Sequence, residues 1–598
     1  MTADDRAEIF DSVIAMIEKD HYFCDHDIHE LVVDCLGDWT ISDLSSVGSG
    51  PLIRLIGNLT QRDVYVGNDR VAGGSRTASL YDTVRAENPL SFASTMTSAA
   101  SLRLHGLCIF FSLGSLVWGY NIGVLSSVLV HPGFIAQLNH PGAAHKGTIT
   151  AIYYLGTWLS YVFLSRAASD HFGRRYAALI GTLIVCFGAA LIAGATGGGA
   201  YAMVISGRII AGIGIALVST SVPLYQSEVS PARQRGRYVV MNHIGMVAGL
   251  ALGFWVGYGI TFWDTPRGVS VGWRVSLAVQ YVPAVIFIAG LPFLPETPRW
   301  LVEHGQHERA HTTLLYLRDG LYSADETQLE FDEIYADVAA SRTYGLDIWS
   351  LFREPSLRSR LWRAALLQFM AQMCGATAIK YYLPTLFKAL GLGTRLSLLV
   401  GGIESTLKIG CTVLEMLLID RVGRRITLTI GAAVMFVAML INGALPLAYP
   451  HNVNRASDYT CIVFIFVYSL GYSMGFGPAS WVYGSEIFPT TLRARGLNLS
   501  ASSGAIGSII VAQIWPVGVA NLGSRIYFFF MAINAACVPI IWFLYPETKN
   551  CSLEAMDALF GRVSAVHYHH GKAHHEEQAK NQTDRVGAKP VHRDEEAE

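Results

Sequence analysis

The chain has 598 residues, of which 52% are hydrophobic and 15% charged, with a formal net charge of −2. So few charges cannot clothe a soluble protein of this length, and a near-neutral balance gives nucleic acid nothing to bind. The apolar residues fall in runs of about twenty, the length of a helix crossing a hydrocarbon core about 30 Å thick.

Residues 1–102 come first, polar and acidic at the start. Ala7 to Lys19 has the pattern of a short amphipathic helix. The remainder, rich in Gly, Ser and Asp, reads as a largely disordered extension. The acidic start carries no apolar core of a cleavable signal, so the first spans are expected to act as insertion signals. Six apolar runs follow within residues 103–295, at roughly 105–130, 147–168, 176–196, 201–223, 238–262 and 275–294. Residues 296–360 are charged and helically patterned, which predicts a helical linker. Six more runs lie within residues 361–560, at roughly 363–390, 396–418, 426–447, 460–484, 499–520 and 525–545. Residues 561–598 form a polar tail whose His567, His569, His570, His574 and His575 suit a solvated segment better than a metal site.

The nine cysteines show no paired spacing, and six of them fall inside apolar runs. They read as small core residues, so no disulfide, metal or cofactor is expected. Arginine placement sets the orientation. The loops after the second, fourth, eighth and tenth runs contain Arg174-Arg175, Arg233 to Arg237, Arg421 to Arg425 and Arg493 to Arg495, while the alternate loops carry little positive charge. The positive-inside rule makes the arginine loops cytoplasmic and places both termini there too. The sequons at Asn58 and Asn581 would then stay unmodified.

Three phrases occur twice in the same order. Asp170-x-x-Gly173-Arg174-Arg175 is echoed by Asp420-x-x-Gly423-Arg424-Arg425. Ser227-Glu228, with Pro231 and Arg235-Gly236, is echoed by Ser485-Glu486, with Pro489 and Arg495-Gly496. Pro295-Glu296-Thr297 is echoed by Pro546-Glu547-Thr548. Such ordered repeats mark a duplicated membrane unit. The paired arginines exceed what lipid anchoring requires. They predict an inter-helix charge network, with Glu228 as partner of Arg424 and Glu486 as partner of Arg174 or Arg175. Asp170, Arg235, Asp420, Arg425 and Arg495 complete the expected cytoplasmic gate.

With Gly207-Arg208, Pro223-x-Tyr225-x-x-Glu228, Trp273-Arg274 with Gln280, Pro295 to Trp300, Gly477-Pro478-x-x-Trp481, Glu486-x-Phe488-Pro489 and Pro546 to Lys549, the chain resembles the sugar porter family of the major facilitator superfamily, most closely its fungal branch. The resemblance covers about residues 104–560. It implies an all-α membrane protein, twelve transmembrane helices in two pseudo-symmetric six-helix bundles, and alternating access around a central cavity. It implies a small hydroxylated solute and the lipid bilayer as partners of a monomer in the plasma membrane, and no cofactor. No phosphate-binding loop or nucleophile–base constellation points to a pump or an enzyme.

The substrate contacts depart from the family pattern. In the seventh span the resemblance aligns Gln372, Thr377, Tyr381 and Tyr382 with family substrate positions, but Ala371 replaces a glutamine and Thr377 an asparagine. His243 stands at the family's sugar-binding glutamine, Gly504-Ala505 at an Asn-Trp pair, and Trp481 is kept. Alanine supplies neither donor nor acceptor to a polyol. The expected cavity is therefore Gln372, Thr377, Tyr381, Tyr382, His243 and Trp481, with a substrate that need not be glucose.

Coupling centres on Asn121, where proton-coupled members carry Asp. Asparagine does not titrate, so facilitated uniport is expected. Against this stand Glu404, Lys408 and Glu415 in the eighth span, within about 40° of one helical stripe. Ionisable groups in a span are functional by default. They are either a self-neutralised packing pair or an acid-substrate or proton-linked site, with Lys408 suited to a carboxylated polyol such as a quinate-like compound. A proton symporter and a non-transporting nutrient sensor are the alternatives. Arg166, at a position usually glycine, and His171 predict that the first copy of the repeat gates less well than the second.

Overall fold

A computed structural model describes residues 99–231, 235–343, 349–450, 453–489, 492–549 and 559–560, all within the compact unit Ser98–Glu598. The expected N-terminal extension before residue 99, the tail after 560, both sequons and the tail histidines lie outside these residues, as do the side chains of Arg235 and Asp420.

The described residues are helical, apart from one isolated bridge between Asp319 and Tyr322. Span one is Ala99–Val128. Span two runs through Ala143–Leu159, a π-turn at Ser160–Leu164 and Ser165–Phe172. Spans three, four and five are Arg174–Ala193, Ala200–Val229 and Arg235–Ile260. Span six is Pro266–Ala278 continued by Tyr281–Gly290. Span seven is Pro355–Met373 followed by Ala376–Ala389. Spans eight and nine are Thr394–Val422 and Arg424–Ala448. Span ten joins Arg455–Gly471, a π-turn at Tyr472–Phe476 and Gly477–Ile487. Spans eleven and twelve are Arg493–Leu522 and Ile526–Leu544.

Among the described residues nine helical stretches are long and apolar enough to cross a membrane, and one, Arg495–Leu544, contains spans eleven and twelve together. Spans two and seven complete the twelve. Their helices carry more polar and charged residues than the other spans, which lowers their apolar signal, and span seven is also broken. In span seven the cause is Gly375, whose φ of +108° is a conformation that only glycine adopts without strain.

Span seven starts at Pro355, earlier than the 363 expected, because a proline at the first helical position suits a helix start. The linker is correspondingly shorter. It contains the helices Pro298–Glu303, His307–Arg318, Ala324–Thr343 and Ser350–Arg353. Leu301, Val302, Ala310 and Val338 give it a small core of its own. The buried Arg318 ties it to the bundle, pairing with Glu330 at 2.6 Å and donating to the Val229 carbonyl at 2.9 Å.

Glycines set the closest helix approaches, as expected where backbone contact replaces a hydrophobic drive. Gly119 and Gly123 of span one face Gly245, Gly249 and Gly253 of span five. Gly181 and Gly188 of span three face Gly214 and Gly207 of span four. The two halves meet where Tyr161 and Ala216 pack on Ala501 and Ala505, with Trp158 and Trp481 against them.

Candidate functional site

A cavity of about 700 Å³, counted with the space where it opens, lies between the halves. Trp118, Tyr153, Tyr154, Tyr161 and His243 line it from the N-terminal half, and Gln368, Gln372, Lys380, Tyr472, Ser480, Trp481 and Ser508 from the C-terminal half. Its walls thus combine aromatic faces with a few amides and hydroxyls, the usual make-up of a small-molecule site.

Three of the residues expected at the substrate meet here: Gln372, His243 and Trp481. His243 reaches across to span ten, where a Cβ on Gly477 would lie 3.3 Å from its Nε2. Thr377, Tyr381 and Tyr382 are placed one layer behind the wall. Thr377 donates to the Gln372 Oε1 at 3.0 Å and so orients that amide. Tyr381 is fully buried, edge-on to the lining Tyr154 and 3.5 Å from the Arg208 guanidinium. Tyr382 donates to Thr150 and to the Ala512 carbonyl, at 3.0 and 3.1 Å, and thereby links the halves.

Gln368 and Lys380 are among the lining residues outside the expected set. Gln368 sits one turn before Gln372 on the same face, so the amide missing at Ala371 is supplied one turn earlier. A spacing of four on a helix was the available signal. Lys380 was hidden by the tyrosines that follow it. Gly504 lines the cavity without replacing a lost contact. It lets span seven approach, since a Cβ there would stand 3.3 Å from the Gln368 carbonyl oxygen.

Lys408 is placed differently from its expected position in the cavity. Its ammonium pairs with Glu404 at 2.6 Å, both are buried, and Glu404 also accepts from Ser405 and Ser469. The pair lies outside the cavity lining, and its contact with Ser469 fastens span eight to span ten. Glu415, further along span eight, is 2% exposed, and its carboxylate sits against the backbone of Ala479 in span ten.

Asn121 accepts from Arg208 at 2.9 Å and donates to Gln280 at 3.2 Å. Arg208 also donates to the Ile149 carbonyl and lies over the Tyr153 ring, 4.2 Å from its centre. A buried guanidinium is thus held by neutral acceptors.

On the arginine side the three repeated phrases converge, once in each half. Arg174 pairs with Glu228 at 3.0 Å and Arg424 with Glu486 at 2.7 Å. The expected crosswise pairing, Glu228 with Arg424, is therefore corrected. Each glutamate is delivered by a helix of the same half, span four or span ten, beside the start of span three or nine. Thr297 donates to Glu228 at 2.6 Å, and Thr548 to Glu486 at 2.7 Å. Glu296 accepts the Arg175 backbone N–H at 3.2 Å, while Glu547 accepts those of Arg424 and Arg425 at 2.9 and 3.0 Å. The four free N–H groups of a helix start make this a natural carboxylate site.

Glycine is required at both turns. Gly173 and Gly423 have φ of +90° and +99°, and added Cβ atoms would stand 2.5 and 2.7 Å from Glu296 Oε2 and Glu547 Oε2. Burial raises the Glu296 carboxyl above its ordinary pKa, opposed by the N–H donors of Thr297 and Arg175. Glu296, Thr297, Glu547 and Thr548 were legible only as repeats, and the network gives them a role. Arg175 and Arg425 point away from the carboxylates, donating to the carbonyls of Leu294 and Trp542. Arg166 forms an exposed i,i+4 pair with Asp170 at 3.3 Å. His171 is exposed against Phe172. Neither displaces Arg174 from Glu228. Arg495 lies in the first turn of span eleven.

The family described as "Sugar (and other) transporter" matches residues 107–560. The chain is 31% identical over 461 residues to the MFS-type transporter criB of Aspergillus cristatus, covering 76% of this chain and 93% of the relative. It is 32% identical over 430 residues to a probable quinate permease of Aspergillus niger, covering 69% and 79%. Among solved structures, the proton:xylose symporter XylE bound to 6-bromo-6-deoxy-D-glucose is 25% identical with a TM-score of 0.66, over 77% of this chain and 99% of that one. The partially occluded inward-open form of XylE from E. coli shares the fold, with 24% identity, a TM-score of 0.64, and coverage of 75% and 99%.

Proposed function

The chain belongs to the sugar porter family of the major facilitator superfamily, and on that premise we propose that its central cavity carries a sugar, polyol or quinate-like solute by alternating access as a facilitated uniporter. The chain is an integral membrane carrier, not an enzyme. The quinate permeases and the xylose symporter among its relatives supply the range of solutes. The observation that carries the reading is the cavity itself. It sits between the halves, and its amides come from span seven while His243 comes from span five. Rocking of the halves would open it to either side in turn.

Gln368, Gln372, His243 and Trp481 contact the solute in this account. Thr377, Tyr381 and Tyr382 hold the wall behind them. The networks around Arg174 and Arg424 latch the arginine side, which faces the cytoplasm together with both termini, and the carrier works as a monomer in the plasma membrane. Uniport follows from Asn121: the acceptor that holds Arg208 cannot take up or release a proton.

Glu415 favours one second reading, proton symport, because a carboxyl buried this deeply is costly in a span and would be retained for use. Radiolabelled uptake in a transporter-null host separates the two. We expect saturable uptake of at least one hydroxylated solute, unchanged by a protonophore and by Glu415→Gln. Concentrative uptake that collapses with either treatment would establish symport through Glu415. Silence across sugars, polyols and quinate-like acids, with correct surface delivery, would favour a non-transporting sensor.

A further inference from the structure

We propose that Lys380 is the anion-recognising group of the cavity, so that the preferred solute is a polyhydroxylated monocarboxylate rather than a neutral sugar; the inference rests on the cavity being a solute site.

Lys380 is half-buried in the cavity wall. Among the described residues no carboxylate forms an ion pair with it, and its ammonium rests over the Tyr472 ring, 5.1 Å from the centre. The lining contains no aspartate or glutamate. Lys408 of span eight, by contrast, is already neutralised by Glu404. A second positive charge stands directly behind the wall. Arg208 is 1% exposed, stacks on the outer face of the lining Tyr153, and is bonded to the neutral Asn121 and Ile149 carbonyl rather than to a carboxylate. The cavity therefore lies beside two cations with no compensating anion in its wall.

Charges held at membrane depth are costly unless paired. When a neutral sugar closes the cavity, water leaves and Lys380 keeps only a ring face. When a carboxylate enters, the same closure forms a charge-assisted hydrogen bond, about twice as strong as a neutral one. The backbone of Lys380 is fixed for this task. Its carbonyl accepts from Ser126 of span one at 2.6 Å, and the break at Gly375 separates its helix from the one bearing Gln368 and Gln372. The ammonium and the amides thus approach the cavity from different segments. One end of a ligand would meet the cation and the hydroxyl-bearing ring would meet the amides.

Calorimetric titration of the purified full-length protein in nanodiscs tests the inference, with quinate against myo-inositol and glucose. We expect quinate to bind at least tenfold more tightly than either neutral polyol. Lys380→Met should remove that preference, and Lys380→Arg should keep most of it. The melting temperature of each variant shows that it is folded. Two results would overturn the inference: binding of inositol or glucose in preference to quinate, which leaves the carrier reading standing, or an undiminished quinate preference in Lys380→Met. Binding of none of the three by wild type would count against both the inference and the solute site.

Discussion

Replacing Arg174 by alanine is expected to abolish transport and to destabilise the N-terminal half by about 3–5 kcal/mol, the range for breaking a buried pair by removing one partner. The Arg174 side chain is 4% exposed and that of Glu228 8%. Without the guanidinium, Glu228 keeps the Thr297 hydroxyl as its neutral donor. Arg174 also donates to the Ser169 carbonyl and pairs with Glu303 of the linker at 3.3 Å. One residue thus joins spans two, three and four to the linker. The equivalent Arg424→Ala is expected to be milder in stability, because Glu486 is 25% exposed and water can replace part of the loss. The double variant Arg174→Met with Glu228→Leu should recover much of the melting temperature, since apolar replacement removes the unpaired charge. It should not recover transport if the pair must form and break in each cycle. Paired melting and uptake measurements check this. Wild-type uptake by the double variant would reduce the pair to a structural strut.

Gly249→Val is expected to leave little or no folded carrier. An added Cβ at Gly249 would fall on the Leu116 carbonyl oxygen and lie 2.7 Å from the Tyr120 nitrogen. Both obstacles are backbone, so no side chain can turn aside. The neighbouring contacts repeat the constraint, with Gly119 against the Met246 carbonyl and Gly253 2.5 Å from the Val124 nitrogen. Spans one and five must therefore separate along their length. That would remove the positions that Trp118 and His243 take in the cavity. Gly259→Val is the matched control in the same helix, since an added Cβ there meets nothing within 4 Å. Monodisperse yield on size-exclusion chromatography reads both. Equal yields would show that the two helices are not locked by glycine contact.

The twelve spans were legible because apolar length is a strong signal, and the break in span seven follows from Gly375. Helix partners were harder to read. The repeats placed arginines and glutamates at the right helix ends, yet the pairing they suggested ran across the halves, Glu486 with Arg174. The structure pairs it within. Lys408 and Lys380 show the same limit. Both are lysines in spans, and spacing alone drew attention to Lys408 because Glu404 and Glu415 share its stripe. The same stripe is why Lys408 is neutralised and unavailable. Lys380 has no acidic neighbour on its helix face, so no pattern marked it, although that isolation is what leaves its charge free for a ligand. Gln368 is marked in the sequence only by its spacing of four from Gln372, which puts both amides on one helix face.

Solute counterflow in proteoliposomes tests the central claim most directly, with purified full-length protein and no imposed proton gradient. Vesicles loaded with an unlabelled hydroxylated solute should transiently accumulate the labelled solute from outside, because a uniporter exchanges across its alternating states without an energy source. Accumulation should vanish in Arg174→Ala. Absence of counterflow for every sugar, polyol and quinate-like acid tested, with correctly folded protein in the membrane, would contradict the account.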